Sequence, residues 1–246
     1  MIRPAAPVGT VAIVLAAGLG SRLRPLTDDR PKCLVTVGGE TLLHRALRLL
    51  AASGIERAIV STGHFHSAVE TALADAPLPI SPVFNHDHAT TQNVVSLARA
   101  TAGLLPTEGF VKLDGDLVFA DSVLRTLWRA SGEARVCVDS STAPRAEAMK
   151  LQVGSNRITR FGKALDPVRC HGESIGLEYF DASAARVVSG AVQRAVQMGR
   201  TDLYYEDVYN DVLESIAMAP VKIDPAHWTE IDDLRDLERA RSRFGA

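Results

Sequence analysis

Cysteine is scarce in this chain: Cys33, Cys137 and Cys170 stand far apart and form no CxxC pair. Such an odd, scattered trio fits thiols kept reduced in a cytosol rather than a disulfide framework. Cys33 follows Lys32, a neighbour that can activate a thiolate, but a small buried hydrophobe is the expected role. Charge of one sign is also lacking, since the net value is −2. That balance offers no global footprint for nucleic acid or an anionic membrane. No apolar run approaches the roughly 20 residues that span a bilayer. The expectation is a soluble, cytoplasmic protein with no nucleic-acid or membrane partner.

Two familiar phosphate motifs are missing as well. No Gly-Lys-Ser/Thr follows four spacer residues, so there is no P-loop. A dinucleotide fingerprint fails because Leu23 stands where its third glycine belongs, and Pro25 interrupts the helix that should follow. Arg3 and the apolar stretch after it have the outline of a secretory leader. Cleavage there would remove the strand that presents the next loop, so residues 1–9 are expected as a loose leader to one domain spanning 1–246.

What is present begins with Val11–Leu15, a strand-like run that stops at Ala16-Ala17-Gly18. The loop behind it carries Gly20, Ser21, Arg22, Arg24, Arg30 and Lys32. Small residues let the backbone approach a ligand and turn N–H groups toward oxyanions. Arginine forks and a lysine point charge suit a polyphosphate. Arg22 and Lys32 are therefore the candidate catalytic cations, acting electrostatically on charge that builds during phosphoryl-type transfer.

Apolar runs and helical stripes then alternate. Helices are expected at 40–53, 66–74, 91–101 and 121–130, the last with Asp121 as N-cap. Strands are expected at 58–61, 80–84, 109–113 and 134–138, which argues for an α/β protein with a mostly parallel central sheet. Short strands at 149–153, 157–161 and 175–180 look like a mixed or antiparallel elaboration within 140–210. Helices at 182–197, 206–216 and 232–243 and a strand at 221–223 complete the pattern.

Phe110–Leu113 is a strand ending in Asp114-Gly-Asp116. Ligands of open α/β sheets sit beyond the carboxyl ends of strands. Hard oxygen donors there suit Mg²⁺, and Asp232, in Trp228-Thr-Glu-Ile-Asp232, offers a second carboxylate from a distant segment. Asp233 competes with Asp232 for the capping position of the last helix. Two His-x-His pairs, His64/His66 and His86/His88, have no cysteine cluster beside them and are expected as polar loop residues.

The run Gly18, Gly20, Ser21, Arg22, Leu23, Pro25, Leu26, Thr27, Pro31, Lys32 matches the G-x-G-[ST]-R-[LM]-x-P-L-T-x-x-x-P-K signature of nucleotidyltransferases without a gap. Together with Gln92–Leu97, Leu113–Asp116, Ala148–Lys150, Glu173–Gly176, Tyr205–Val208 and Trp228–Asp232, it makes the chain resemble small cytidylyltransferases of the phosphocholine and phosphonate type. The resemblance covers about Val11 to Ala240. It implies a three-layer, Rossmann-like nucleotidyltransferase fold and transfer of CMP from CTP to a small phosphate or phosphonate acceptor, with Mg²⁺ as cofactor. It further implies that Leu15, Ala17, Gly18, Gly20, Ser21, Asn93 and Asp114 hold the nucleotide, and that Asp116 and Asp232 hold the metal. Lys150, Lys163, Glu173, Glu206, Asp207 and Trp228 would face the acceptor. A homodimer is compatible with these features.

Three alternatives stay open at this level. Relatives of the same superfamily activate sugar 1-phosphates with UTP or dTTP. Asp114-Gly-Asp116 also satisfies the Asp-x-Asp pattern of glycosyltransferases that hold nucleotide-sugars. A non-catalytic nucleotide-binding subunit is the third. Only two tryptophans are present, and Trp128 falls on a helical pattern, so an aromatic cage for choline is sparsely furnished.

Overall fold

Thr10–Ala16 (β1) is buried at every position, as a strand covered on both faces must be. Val11, Ile13 and Leu15 enter one apolar core, whereas Ala12, Val14 and Ala16 enter another on the opposite side. A strand alternates its side chains, so β1 divides the molecule into layers. The computed structural model describes residues 4–245; residues 1–3 of the expected leader lie outside them. Within the rest of that segment, Ala6 N donates to Ser53 O at 2.8 Å.

The chain continues through Thr36–Val37 (β2), Glu40–Thr41 (β3), Leu42–Ala52 (α1), Ala58–Thr62 (β4), His66–Leu73 (α2), Ile80–Phe84 (β5) and Asn93–Thr101 (α3). Gly109–Asp114 (β6), Leu117–Phe119 (β7), Asp121–Arg129 (α4), Ala134–Asp139 (β8), Lys150–Gly154 (β9), Arg157–Gly162 (β10) and Gly172–Phe180 (β11) come next. Ala182–Gln197 (α5), Tyr205–Tyr209 (α6), Met218–Lys222 (β12), Trp228–Glu230 (β13) and Leu234–Phe244 (α7) complete it.

The main sheet runs β10-β9-β11-β6-β1-β4-β5, with β8 and β12 branching from β11. Pairs β1–β4, β1–β6, β4–β5 and β8–β12 are parallel, and every pair made by β11 is antiparallel. Helices α3, α5 and α6 pack on one face, and α1, α2 and α4 on the other. The result is the α/β architecture that the alternation of elements predicts, in the three layers that the resemblance implies.

Some boundaries differ from the sequence expectation for identifiable reasons. Helix α1 starts at Leu42 because Glu40 and Thr41 pair with β2, and Thr41 then caps it by accepting from His44 N at 3.1 Å. Asp121 is the first helical residue of α4, not its cap; Ala120 occupies that place, and Asp121 Oδ2 accepts from Arg125 at 2.5 Å. The helix expected at 206–216 is broken into α6 and a 3₁₀ turn at Asn210–Val212. Strand β11 is no appendage: it lies between β6 and β8 in the body of the sheet.

Candidate active site

The carboxyl ends of β1 and β6 open into a cleft of about 980 Å³. Leu15, Ala17, Gly18, Gly20 and Ser21 line one wall, and Asn93, Asp114, Asp116 and Asp232 are exposed to the same space. The loop after β1 folds back on itself. Thr27 Oγ1 donates to Gly20 O at 2.8 Å, and a side chain at Gly20 would lie 2.9 Å from Lys32 Cβ. With φ at +63°, that position favours glycine on backbone grounds too. Arg24 and Arg30 pair locally, with Asp28 and Asp29. Arg22 and Lys32 instead reach into the cleft.

Lys32 Nζ lies 2.7 Å from Asp116 Oδ2 and 3.1 Å from Asp232 Oδ1. Burial pulls its pKa down, but Asp116 and Asp232 outweigh that and hold it above the ordinary lysine value. Arg22 Nη2 donates to Asp232 Oδ1 at 2.6 Å. Cys33, next in the chain, is buried, and its thiol is pushed up to about 12, so it is an inert part of the core.

A ladder brings the two aspartates together. Strand β13 pairs antiparallel with β7 from Trp228↔Phe119 to Glu230↔Leu117, and Ile231 N extends it by donating to Asp116 O at 3.0 Å. Asp233 caps α7, accepting from Arg235 N and Asp236 N, and leaves Asp232 to the cleft. Glu230 joins them. One carboxylate oxygen from each of Asp116, Glu230 and Asp232 lies within 4.8 Å of the others. Burial, with the charges of Asp116 and Asp232, pushes the Glu230 carboxyl up to about 8. Three hard oxygen donors crowded in this way fit a small divalent cation. Glu230 escaped the sequence reading, although its period-two spacing with Trp228 and Asp232 puts all three on one face of an extended segment.

Behind Asp114 stands a lysine that the sequence reading also missed. Lys112 is fully buried in β6. Its Nζ lies 3.2 Å from Asp114 Oδ1 and 2.9 Å from Glu178 Oε2, donates to Gly176 O at 3.2 Å, and bonds the Tyr205 hydroxyl. Tyr205 Oη donates to Asp114 Oδ2 at 2.7 Å. Both oxygens of Asp114 are thus tied from the rear. Any side chain at Gly176, where φ is +77°, would collide with that carboxylate. Asn93, expected near base or ribose, lines the cleft and accepts from Tyr205 N at 2.9 Å, so it secures the first turn of α6.

The acceptor-side residues separate into two groups. Lys163, Glu173, Glu206 and Trp228 line the cleft. Lys163 Nζ sits 4.0 Å from the Tyr204 ring centroid, and Trp228 Nε1 donates to Asp139 at 3.1 Å. Glu206 is buried, and its carboxyl is pushed up to about 8 by that burial and by Asp114 and Glu178 nearby. Lys150 and Asp207 are absent from the cleft wall. Lys150 is 1% exposed and donates to Ala146 O, Ala148 O and Lys163 O at 2.7, 3.3 and 2.5 Å. Three carbonyls use its three protons, so the structure places Lys150 behind the cleft wall and not on it. Asp207 accepts from Tyr204 N at 3.0 Å and serves α6. Of the four paired histidines, His88 reaches the cleft, while His66 bonds Thr62 and stacks on Phe84. Arg145, Arg235 and Arg239 also line the cleft.

A family model for the MobA-like NTP transferase domain matches residues 12–242. The chain belongs to that family. Over 233 residues, 93% of its length, it is 32% identical to the bifunctional IPC transferase and DIPP synthase of Rubrobacter xylanophilus, and it covers 50% of that protein. It is 26% identical over 93% of its length to the 2-aminoethylphosphonate cytidylyltransferase of Lancefieldella rimae, covering 90% of it. The structure of the inositol-1-phosphate CTP transferase of T. maritima superposes with a TM-score of 0.81 at 24% identity, covering 96% of each chain, which supports the fold. The chain spans 50% of the length of the Rubrobacter relative, and its matched segments cover 22% and 26% of two further curated relatives. Among the described residues, no helix is long and apolar enough to cross a membrane.

Proposed function

We propose that the protein is a Mg²⁺-dependent cytidylyltransferase that moves CMP from CTP to a small phosphate or phosphonate acceptor in the cytoplasm. The observation that carries this reading is the convergence of Lys32 and Arg22 with Asp116, Glu230 and Asp232 in one cleft. An acceptor phosphoryl oxygen forms the new bond to the α-phosphorus. The bond between that phosphorus and the bridging oxygen breaks, and pyrophosphate departs with the electron pair.

An anionic oxygen is already a nucleophile, so the side chains need only bring anions together and neutralise them. Mg²⁺ held by Asp116 and Asp232, with Glu230 beside them, would supply positive charge to phosphate oxygens. Arg22 and Lys32 face the triphosphate and stabilise the charge that gathers on the leaving pyrophosphate. Leu15, Ala17, Gly18, Gly20 and Ser21 give the backbone wall against which the nucleotide lies. Asp114, fixed from behind by Lys112 and Tyr205, orients it. Glu173, Glu206, Lys163 and Trp228 form the acceptor wall.

The choice of cytosine rests on the sequence resemblance and on the cytidylyltransferase among the relatives. A screen tests it: CTP, UTP, dTTP, ATP and GTP with Mg²⁺, each against 2-aminoethylphosphonate, phosphocholine, inositol phosphate and hexose 1-phosphates, with pyrophosphate measured. CTP turnover with a small non-hexose acceptor is the expected result. Turnover with dTTP or UTP and a hexose phosphate overturns it in favour of sugar activation.

A further inference from the structure

Lys150, the first cation that the resemblance implies for the acceptor's anionic group, is committed to carbonyls, and Lys163, the second, sits over the Tyr204 ring. The segment 140–149, between β8 and β9, provides another. Arg145 Nη2 lies 3.6 Å from Glu173 Oε1 and 3.8 Å from Glu230 Oε2. One guanidinium therefore bridges the acceptor wall and the acidic cluster. We infer that Arg145 binds the phosphoryl group of the acceptor and holds it beside the α-phosphate of the donor. This inference rests on the proposed nucleotidyl transfer.

Three features carry it. First, position: Glu230 belongs to the carboxylate cluster and Glu173 to the acceptor wall, so a group at Arg145 lies where the two substrates must meet. Second, availability: among the described residues, the Arg145 guanidinium has ion pairs beyond hydrogen-bond length and no hydrogen bond, and its side chain is 56% exposed. Ion pairs this long and open to water contribute little to stability, so the fold does not depend on them. Third, chemistry: a planar fork of donors matches two oxygens of a phosphate or phosphonate. On binding, phosphoryl oxygens take the place of the two glutamates. Lys163, engaged with the Tyr204 ring, is left to the remainder of the acceptor.

The test is Arg145→Ala, with Arg145→Lys beside it. The acceptor KM of Arg145→Ala is expected to rise roughly ten- to a hundredfold while the CTP KM stays within about twofold, and lysine restores part of the loss. An unchanged acceptor KM overturns the inference, as does an equal rise in both constants. A second measurement is independent of turnover: methylphosphonate titrated onto the enzyme with Mg²⁺ and a non-hydrolysable CTP analogue, followed by phosphorus NMR. Binding to the wild type that Arg145→Ala weakens supports the inference even where no acceptor in the screen releases pyrophosphate. Equal affinity in the two proteins sinks it.

Discussion

Lys32 Nζ donates to Asp116 Oδ2 at 2.7 Å across 84 residues of sequence. The loop after β1 is thereby locked to the strand end that carries the acidic cluster. Removing either partner strips a preorganised charge from the site. Lys32→Ala and Asp116→Asn are each expected to lower turnover about a hundredfold or more, read as pyrophosphate release at saturating substrates. Near-wild-type rates in both would remove this pair from the chemistry.

Glu230 completes the three-carboxylate group, so its loss should register in the demand for metal. Glu230→Gln is expected to raise the Mg²⁺ concentration for half-maximal activity by roughly tenfold or more, since losing even an outer-shell partner has effects of that size. Chelation with EDTA should abolish turnover and excess Mg²⁺ should restore it. An unaltered Mg²⁺ titration for the variant would show that Glu230 stands apart from the ion.

Lys150 and Lys163 should behave oppositely. Lys150→Ala leaves three carbonyls without their donor and is expected to cost a few kcal/mol of folding stability, with the acceptor KM of the folded fraction intact. Lys163→Ala touches the cleft and should change acceptor kinetics with little loss of stability. Denaturant melts and steady-state kinetics on the same preparations separate the two.

The buried acids behind Asp114 set a pH dependence of stability. Burial first, then the neighbouring charge of Asp114, pushes the Glu178 carboxyl from 4.5 up to about 7, against the pull of Lys112. The Glu206 carboxyl rises to about 8. Between 4.5 and these values the folded chain holds protons that the unfolded chain has released. Stability contributed by these groups is therefore highest at low pH and falls as pH climbs toward 8, by at most about 1.4 kcal/mol per pH unit for each proton. Urea melts from pH 5 to 8 should show the decline, and Glu178→Gln should flatten it. Equal slopes in the two proteins would count against this assignment.

Much of the site was legible because its residues interrupt regular patterns. The Arg22-to-Lys32 run, with Pro25 inside it, stands where a helix would otherwise follow β1, and Asp114 and Asp116 come at the end of an apolar strand. Asp233 was recognisable as a rival cap, and it does free Asp232 for the cleft. What stayed hidden depends on pairing between distant segments. Nothing local says that Gly172–Phe180 inserts between β6 and β8, so Glu178 could not be set against Lys112. Lys150 reads like any lysine at a strand start until its three carbonyl partners are in place. A lysine amid Val111 and Leu113 was the available hint that a buried countercharge waits in β6.

Because Lys112 clasps β6, β11 and the first residue of α6 at a single ammonium, the base of the cleft and its rear wall form one stiff block. Under the proposed function, adjustment to different acceptors falls instead to the rim, where Arg145 and Glu147 hang on the connection between β8 and β9. Diversification toward new substrates would therefore proceed by rewriting that connection while the masonry underneath is left alone.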